Sequence, residues 1–255
     1  MGFLHEGHLS LVRKSKSQTN ITVVSIFVNP TQFAPNEDLE KYPRDIEKDK
    51  SLLLNEGTEI LFLPPAGEIY PADFQTFVNV EQITKQLEGE SRPTHFQGVT
   101  TIVNILFNIV QPDFAFFGQK DAQQQAVIKQ MVRDLKLPVN IVVCPIVRES
   151  DGLAMSSRNV YLSKTERADA LVLSKALNVG NQLILQGEKD SSKILVELKL
   201  LFENIISARL DYIQIVDEET FVSSVQLISG RKYFILCACR IGKTRLIDNL
   251  LVLVP

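Results

Sequence analysis

The sequence predicts an α/β protein with a doubly wound, mainly parallel sheet domain over residues 1–150 and a smaller α+β domain over residues 151–255. Three observations carry this. Short apolar runs alternate with helical patterns along the first 150 residues, the order that builds parallel sheets with helices on their faces. The clearest run, Ile21 to Val28 (I-T-V-V-S-I-F-V), is almost unbroken, as expected of a strand buried on both faces. After Asp151-Gly152 the order changes to two helical patterns followed by three strand-like runs.

The chain opens with apolar positions at Leu4, Leu9 and Val12, which predict a helix with His5 and His8 one above the other on its first turn. The strand from Ile21 to Val28 ends at Asn29-Pro30, because proline forces the chain out of the ladder. A polar loop, Asn36 to Arg44, leads to a helix from about Asp45 to Asn55, closed by Gly57. Glu59 to Leu63 is a short strand stopped by Pro64-Pro65, and Thr76 to Val80 reads as another. Polar residues from Glu88 to Gly98 precede Val99 to Val110, which is apolar nearly all round and so a buried helix rather than a long strand. Asp113 to Phe117 is a strand ending at Gly118. A helix from Ala122 to Leu135 follows, with Ile128, Met131, Val132 and Leu135 on one stripe. Val139 to Val143 closes the series as a strand. In the second part, helices from about Lys164 to Leu185 and Ser192 to Ser207 precede strands at Asp211 to Val216, Tyr233 to Cys239 and Arg245 to Leu253. A phosphate-gripping helix start in such a sheet is fed by a strand just before it. Here that helix opens the chain, so we expect the sheet's first strand to be missing, or the sequence to begin at an internal methionine.

Composition narrows the function. A net charge of −3 argues against coating nucleic acid, which needs a basic stripe. No apolar run approaches the roughly 20 residues of a membrane span, and no secretory signal opens the chain. Cys144 is isolated, while Cys237 and Cys239 share one face of a strand, so buried thiols in a reducing cytoplasm are expected rather than a disulfide framework.

Four stretches carry candidate chemistry. Met1-Gly2-Phe3-Leu4-His5-Glu6-Gly7-His8 sets two imidazoles beside a helix N-terminus, whose unpaired N–H groups and partial positive charge suit phosphate; two surface histidines are the bland alternative. Phe116-Phe117-Gly118-Gln119-Lys120-Asp121 places a lysine at the C-terminal edge of the sheet, where open α/β sheets bind ligands. Asp121 and Gln124 also read as a helix cap with its capping box. Gly152-Leu153-Ala154-Met155-Ser156-Ser157-Arg158-Asn159 offers two hydroxyls and an arginine that could wrap a triphosphate, or is simply a linker. Asn29-Pro30-Thr31-Gln32-Phe33 puts the Gln32 amide at a strand end, within a turn. His95 reads as a loop histidine capping backbone groups. Gly242-Lys243-Thr244 imitates the tail of a P-loop but lacks the upstream glycine and the following helix.

Taken together, M-G-F-L-H-E-G-H, S-I-F-V-N-P-T-Q-F, Y-P-R-D, S-R-P-T-H-F-Q-G-V, F-F-G-Q-K-D-A-Q-Q and D-G-L-A-M-S-S-R-N resemble the pantothenate synthetase (pantoate–β-alanine ligase) family of the nucleotidyltransferase superfamily. The resemblance implies a Rossmann-like first domain that binds ATP and pantoate, and a C-terminal domain that closes over the active site. It implies ATP-dependent condensation of pantoate with β-alanine through a pantoyl adenylate, releasing AMP and diphosphate, in a cytoplasmic homodimer. His8, His5 and Lys120 would be catalytic. Met1, Gly2, His5, His8, Gly118, Gln119, Lys120, Asp121, Val147, Met155, Ser156, Ser157 and Arg158 would bind ATP, and Gln32 and Gln124 would hold pantoate. Mg²⁺ would enter with ATP, held largely by phosphate oxygens and water; its protein ligands are not implied. Thr94, Gln119 and Ala122 depart from the family's usual residues. Two other readings stand beside this one: a nucleotidyltransferase acting on a different acid, and a truncated, inactive product.

Overall fold

The computed structural model describes residues 2–33 and 39–255. They form two compact units, one running to Gln119 and including Gln123–Pro145, the other comprising Lys120–Ala122 and Ile146–Pro255.

In the first unit, α1 (Glu6–Lys16) buries Leu9 and Val12 against Leu4, Ile26 and Leu53. β1 (Val23–Ser25) follows, then α2 (Ile46–Asn55), whose N-cap Asp45 accepts from the Lys48 N–H at 3.1 Å. β2 (Ile60–Phe62) pairs parallel to β1 with Val23 opposite Ile60. β1 is much shorter than the apolar run that predicts it, and Ile21 is 62% exposed. A strand extends only as far as its partner, and β2 is cut off by Pro64-Pro65. The loop expected over Asn36 to Arg44 falls partly on residues 34–38, outside the described residues.

Two short helices, α3 (Ala66–Ile69) and α4 (Glu88–Ser91), lead to α5 (His95–Val110). Thr76 to Val80 is not a strand. Val78 donates to Thr101 Oγ1 at 3.1 Å and accepts from Thr100 Oγ1 at 2.6 Å, so helix side chains satisfy backbone groups that a neighbouring strand would otherwise take. β3 (Phe114–Gly118) runs through a single 3-10 turn into α6 (Ala122–Asp134), then β4 (Asn140–Cys144) pairs parallel to β3. Phe96, Val99, Ile102 and Val103 of α5 pack on Val127, Ile128 and Met131 of α6. The sequence predicts one sheet, but the described strands form two separate parallel ladders, β1–β2 and β3–β4, with α1 packed against β3 and β4.

The second unit opens its regular structure with α7 (Lys164–Asp169), α8 (Leu171–Leu185) and α9 (Ser191–Glu203). The single helix predicted over Lys164 to Leu185 breaks at Ala170, where no glycine or proline marks it. Asp169, ending α7, is held by the Ser207 hydroxyl at 2.6 Å. β5 (Ala208–Asp217), β6 (Lys232–Ile241) and β7 (Thr244–Leu253) form one antiparallel sheet in that order. Gly180 lets α8 approach closely, since an added Cβ would sit 2.8 Å from Ile235 Cδ1 and 3.1 Å from Leu198 Cδ1. Gly242-Lys243 is the two-residue hairpin turn joining β6 to β7, with Gly242 at φ +56°, which disposes of the phosphate-loop resemblance.

Candidate active site

In the first unit His5 is the N-cap of α1 and His8 its third residue, one step earlier than a pair within the first turn. Their ring centroids lie 4.0 Å apart, and the His5 N–H points at His8 Nδ1 from 3.3 Å. Asp49 of α2, buried to 1% exposure, fixes the segment before the pair. Its carboxylate accepts from the Phe3 N–H at 2.7 Å and the Leu4 N–H at 2.6 Å. Gly2, at φ +115°, packs on Ile26 and that same carboxylate, leaving little space for a side chain. Met1 lies outside the described residues.

Gln32 ends a 3-10 turn, Pro30–Gln32, at the C-terminal side of β1. Buried Asn29 caps that turn through Thr31, donates to the Gly98 carbonyl at 3.0 Å and accepts from the Tyr70 hydroxyl at 2.9 Å. Burial pushes the Tyr70 phenol up, against its hydrogen bonds with Thr31 and Asn29. His95 is not in a loop but begins α5, and it is buried. Its Nδ1 lies 2.9 Å from the Gln32 carbonyl and its Nε2 3.2 Å from Arg92 Nη1. A carbonyl cannot donate and a guanidinium cannot accept, so this geometry suits Nδ1 as the donor to Gln32 and Nε2 as the acceptor from Arg92. Gln124 lies half-buried on α6 between two buried glutamines, of which Gln123 braces the Ile83 and Gln86 carbonyls at 2.7 and 2.8 Å. Gly118 closes β3 opposite Cys144, and an added Cβ there would meet only open space. Gln119 follows it in the 3-10 turn.

In the second unit the half-buried Lys120 precedes Asp121, and its carbonyl accepts from Asn249 Nδ2 at 2.9 Å. The candidate loop is the return arm of a hairpin. Met155 N–H bonds the Val147 carbonyl at 3.0 Å, Arg148 bridges Ala154, and Gly152 turns the chain at φ +97°. Val147 and Met155, assigned separately by the resemblance, are therefore direct neighbours. Ser156 caps the turn Ser157–Tyr161 by accepting from the Arg158 N–H at 3.2 Å, and Ser157 is buried. Asn159 is tied to Glu149 Oε1 at 2.8 Å, and Arg167 holds Glu149 and Asp151. The segment is thus a braced hairpin and not a plain linker.

Sequence reasoning passes over Asp49, Arg148, Asp248 and Asn249. Asp49 hides in a charged helix, D-I-E-K-D-K, while Asp248-Asn249 is a polar pair inside an apolar strand, a visible sign of buried polar work.

Parallel β-α-β pairs, with a histidine pair at one helix start and, in the other unit, a lysine just past a strand end, place the chain in the class of α/β proteins whose ligands bind at strand C-termini. The pantoate-beta-alanine ligase family model matches residues 1–251. The pantothenate synthetase of Caldicellulosiruptor bescii is 56% identical over 252 residues, covering 99% of this chain and 89% of that protein. A crystal structure of the Thermus thermophilus enzyme superposes with a TM-score of 0.94 at 46% identity, over 98% of this chain and 90% of that one. The Francisella tularensis pantoate-beta-alanine ligase, solved with beta-gamma ATP and beta-alanine, gives 0.76 at 36% identity, over 98% and 87%. This chain belongs to the pantoate–β-alanine ligase family.

Proposed function

We propose that the chain joins pantoate to β-alanine with cleavage of ATP, by the family's two-step route. A pantoate carboxylate oxygen attacks the α-phosphorus and diphosphate leaves. The β-alanine amine then attacks the acyl carbon of the adenylate, and AMP leaves with the electron pair of the broken C–O bond. The observation that carries this is the His5–His8 pair held at the start of α1, its approach fixed by a buried carboxylate. No protein nucleophile is needed, so catalysis is placement and charge stabilisation at phosphorus.

In this reading His8 and His5 meet the phosphates, and Met1 and Gly2 belong to the ATP-binding set. Gly118, Gln119 and Asp121 contact the nucleotide and Lys120 neutralises phosphate charge. Val147 lies against the adenosine, and Met155, Ser156, Ser157 and Arg158 cover the phosphates. Gln32 and Gln124 hold pantoate. Residues 1–150 act as the ATP- and pantoate-binding domain and residues 151–255 as the smaller closing domain. Mg²⁺ accompanies ATP. The ion would be held largely by phosphate oxygens and water. We place the enzyme in the cytoplasm as a homodimer. Among the described residues no helix is long and apolar enough to cross a membrane, and the three cysteines are buried with no disulfide between them.

The test is AMP and diphosphate release by the purified chain with Mg-ATP, first with pantoate alone and then with β-alanine added. Sustained turnover should require both substrates, and His8→Ala should lower it by about 10²–10³-fold. Turnover indifferent to β-alanine would sink the reading.

A further inference from the structure

Two adjacent polar residues interrupt the apolar strand β7: Asp248 and Asn249, 2% and 1% exposed. Burying a carboxylate and an amide is costly unless both are bonded, and both are. Asp248 takes a bidentate pair from Arg148, with Nη1 at 2.7 Å from Oδ2 and Nη2 at 2.9 Å from Oδ1. Asn249 donates through Nδ2 to the Lys120 carbonyl at 2.9 Å. Neighbouring strand positions project to opposite faces, so two consecutive side chains reach two different segments. The Asp248 arm continues, because Arg148 Nη1 also donates to the Gly152 carbonyl at 2.9 Å. That carbonyl opens the segment from Gly152 to Asn159, whose far end is held by Glu149.

A buried ion pair is weak evidence for stability, since apolar replacements often do as well. What such a pair supplies here is a fixed position for what it holds. Both segments it reaches carry groups assigned to the ATP phosphates. We propose that Asp248 and Asn249 are positioning residues for ATP: Asn249 sets the main chain from which Lys120 reaches the phosphates, and Asp248, through Arg148, sets the hairpin that presents Ser156, Ser157 and Arg158. This rests on the reading that Lys120 and Met155 to Arg158 contact the nucleotide.

The experiment is steady-state kinetics on the full chain with Asn249→Ala, Lys120→Ala and the double variant, varying Mg-ATP and then pantoate. Asn249→Ala should lower kcat/KM for ATP by about tenfold to a hundredfold, with KM for pantoate unchanged, because even a small misplacement of a charge-stabilising group slows the reaction steeply. On the Lys120→Ala background the same substitution should cost less than about twofold, since coupled residues are not additive. An equal penalty on both backgrounds would mean general damage and overturn the proposal. If Lys120→Ala is impaired while Asn249→Ala is neutral, the proposal alone fails. If Lys120→Ala is itself neutral, the phosphate assignment fails and takes the proposal with it. Should the alanine variant not fold, Asn249→Leu keeps the volume and removes only the amide. Asp248→Asn against Arg158→Ala reads the other arm, with the same loss of penalty expected on the second background and an undiminished one counting against it.

Discussion

Asp49 is the residue on which the histidine segment depends. Phe3, just ahead of the pair, sits at φ 52°, a left-handed conformation that a bulky side chain rarely adopts. Its N–H and that of Leu4 both point into the Asp49 carboxylate. Asp49→Ala leaves two backbone donors without that acceptor, at about 1–3 kcal/mol for each that stays buried. Urea unfolding should show a loss in that range, while Asp49→Asn, which retains one acceptor oxygen, should lose less; equal losses would contradict this account. The thiols give a second residue-scale prediction. Burial pushes Cys237 well above the ordinary range, and burial with nearby Asp211 pushes Cys239 up to about 12. Only the thiolate reacts, so an aromatic disulfide reagent at mildly alkaline pH should leave both untouched in the native protein and titrate them after denaturation.

Among the elements, α5 packs closely on the Pro30–Gln32 turn. A Cβ on Gly98 would fall 2.5 Å from the Thr31 carbonyl oxygen and 2.7 Å from the Gln32 nitrogen, both backbone atoms. Gly98→Ala must therefore push helix and turn apart, at about 1–3 kcal/mol. It should raise KM for pantoate more than KM for ATP; the reverse split would place Gln32 away from pantoate. The turn after β5 gives a pH prediction. Burial raises the Asp217 carboxyl, but bonds from Thr220 and Glu219 outweigh it and hold the group below its usual value of 3.8. A carboxyl lowered by folding adds stability above its unfolded value and loses it as pH falls through the folded one. The melting-temperature gap between the chain and Asp217→Asn should thus be open at neutral pH and close in strong acid.

Element by element, the sequence is legible where one helix face or one strand settles the structure: α2, α5, α6, β3 and β4 fall within a few residues of their expected places. It is illegible where a partner decides. β1 is trimmed by the shortness of β2, the 76–80 segment is claimed by two threonines of α5, and the α7–α8 break falls at a buried alanine with no breaker residue. The same holds at the site. Histidine, lysine and hydroxyl blocks are visible as motifs, while Asp49, Arg148, Asp248 and Asn249 act across 46, 100 and 129 positions, separations that no local pattern records.

Across the whole chain, stability should be distributed unequally between ladders. β6 is paired along its length on both sides, and Tyr233 to Cys239 is buried without interruption. β1 and β2 share three residue pairs and are partly exposed. Amides open with free energies that follow burial and ladder length, and binding segments are drawn from the weak end. Hydrogen exchange on the full chain should therefore place β6 among the slowest amides and β1–β2 well ahead of it. Adding Mg-ATP with pantoate should slow exchange around residues 2–9 and 152–159 while leaving β6 unchanged, because a ligand protects most the segments that open locally where it binds. Slowing confined to β6 would mean that the ligands stabilise the fold globally and do not act at the histidine and serine segments, which would count against their assignment to ATP.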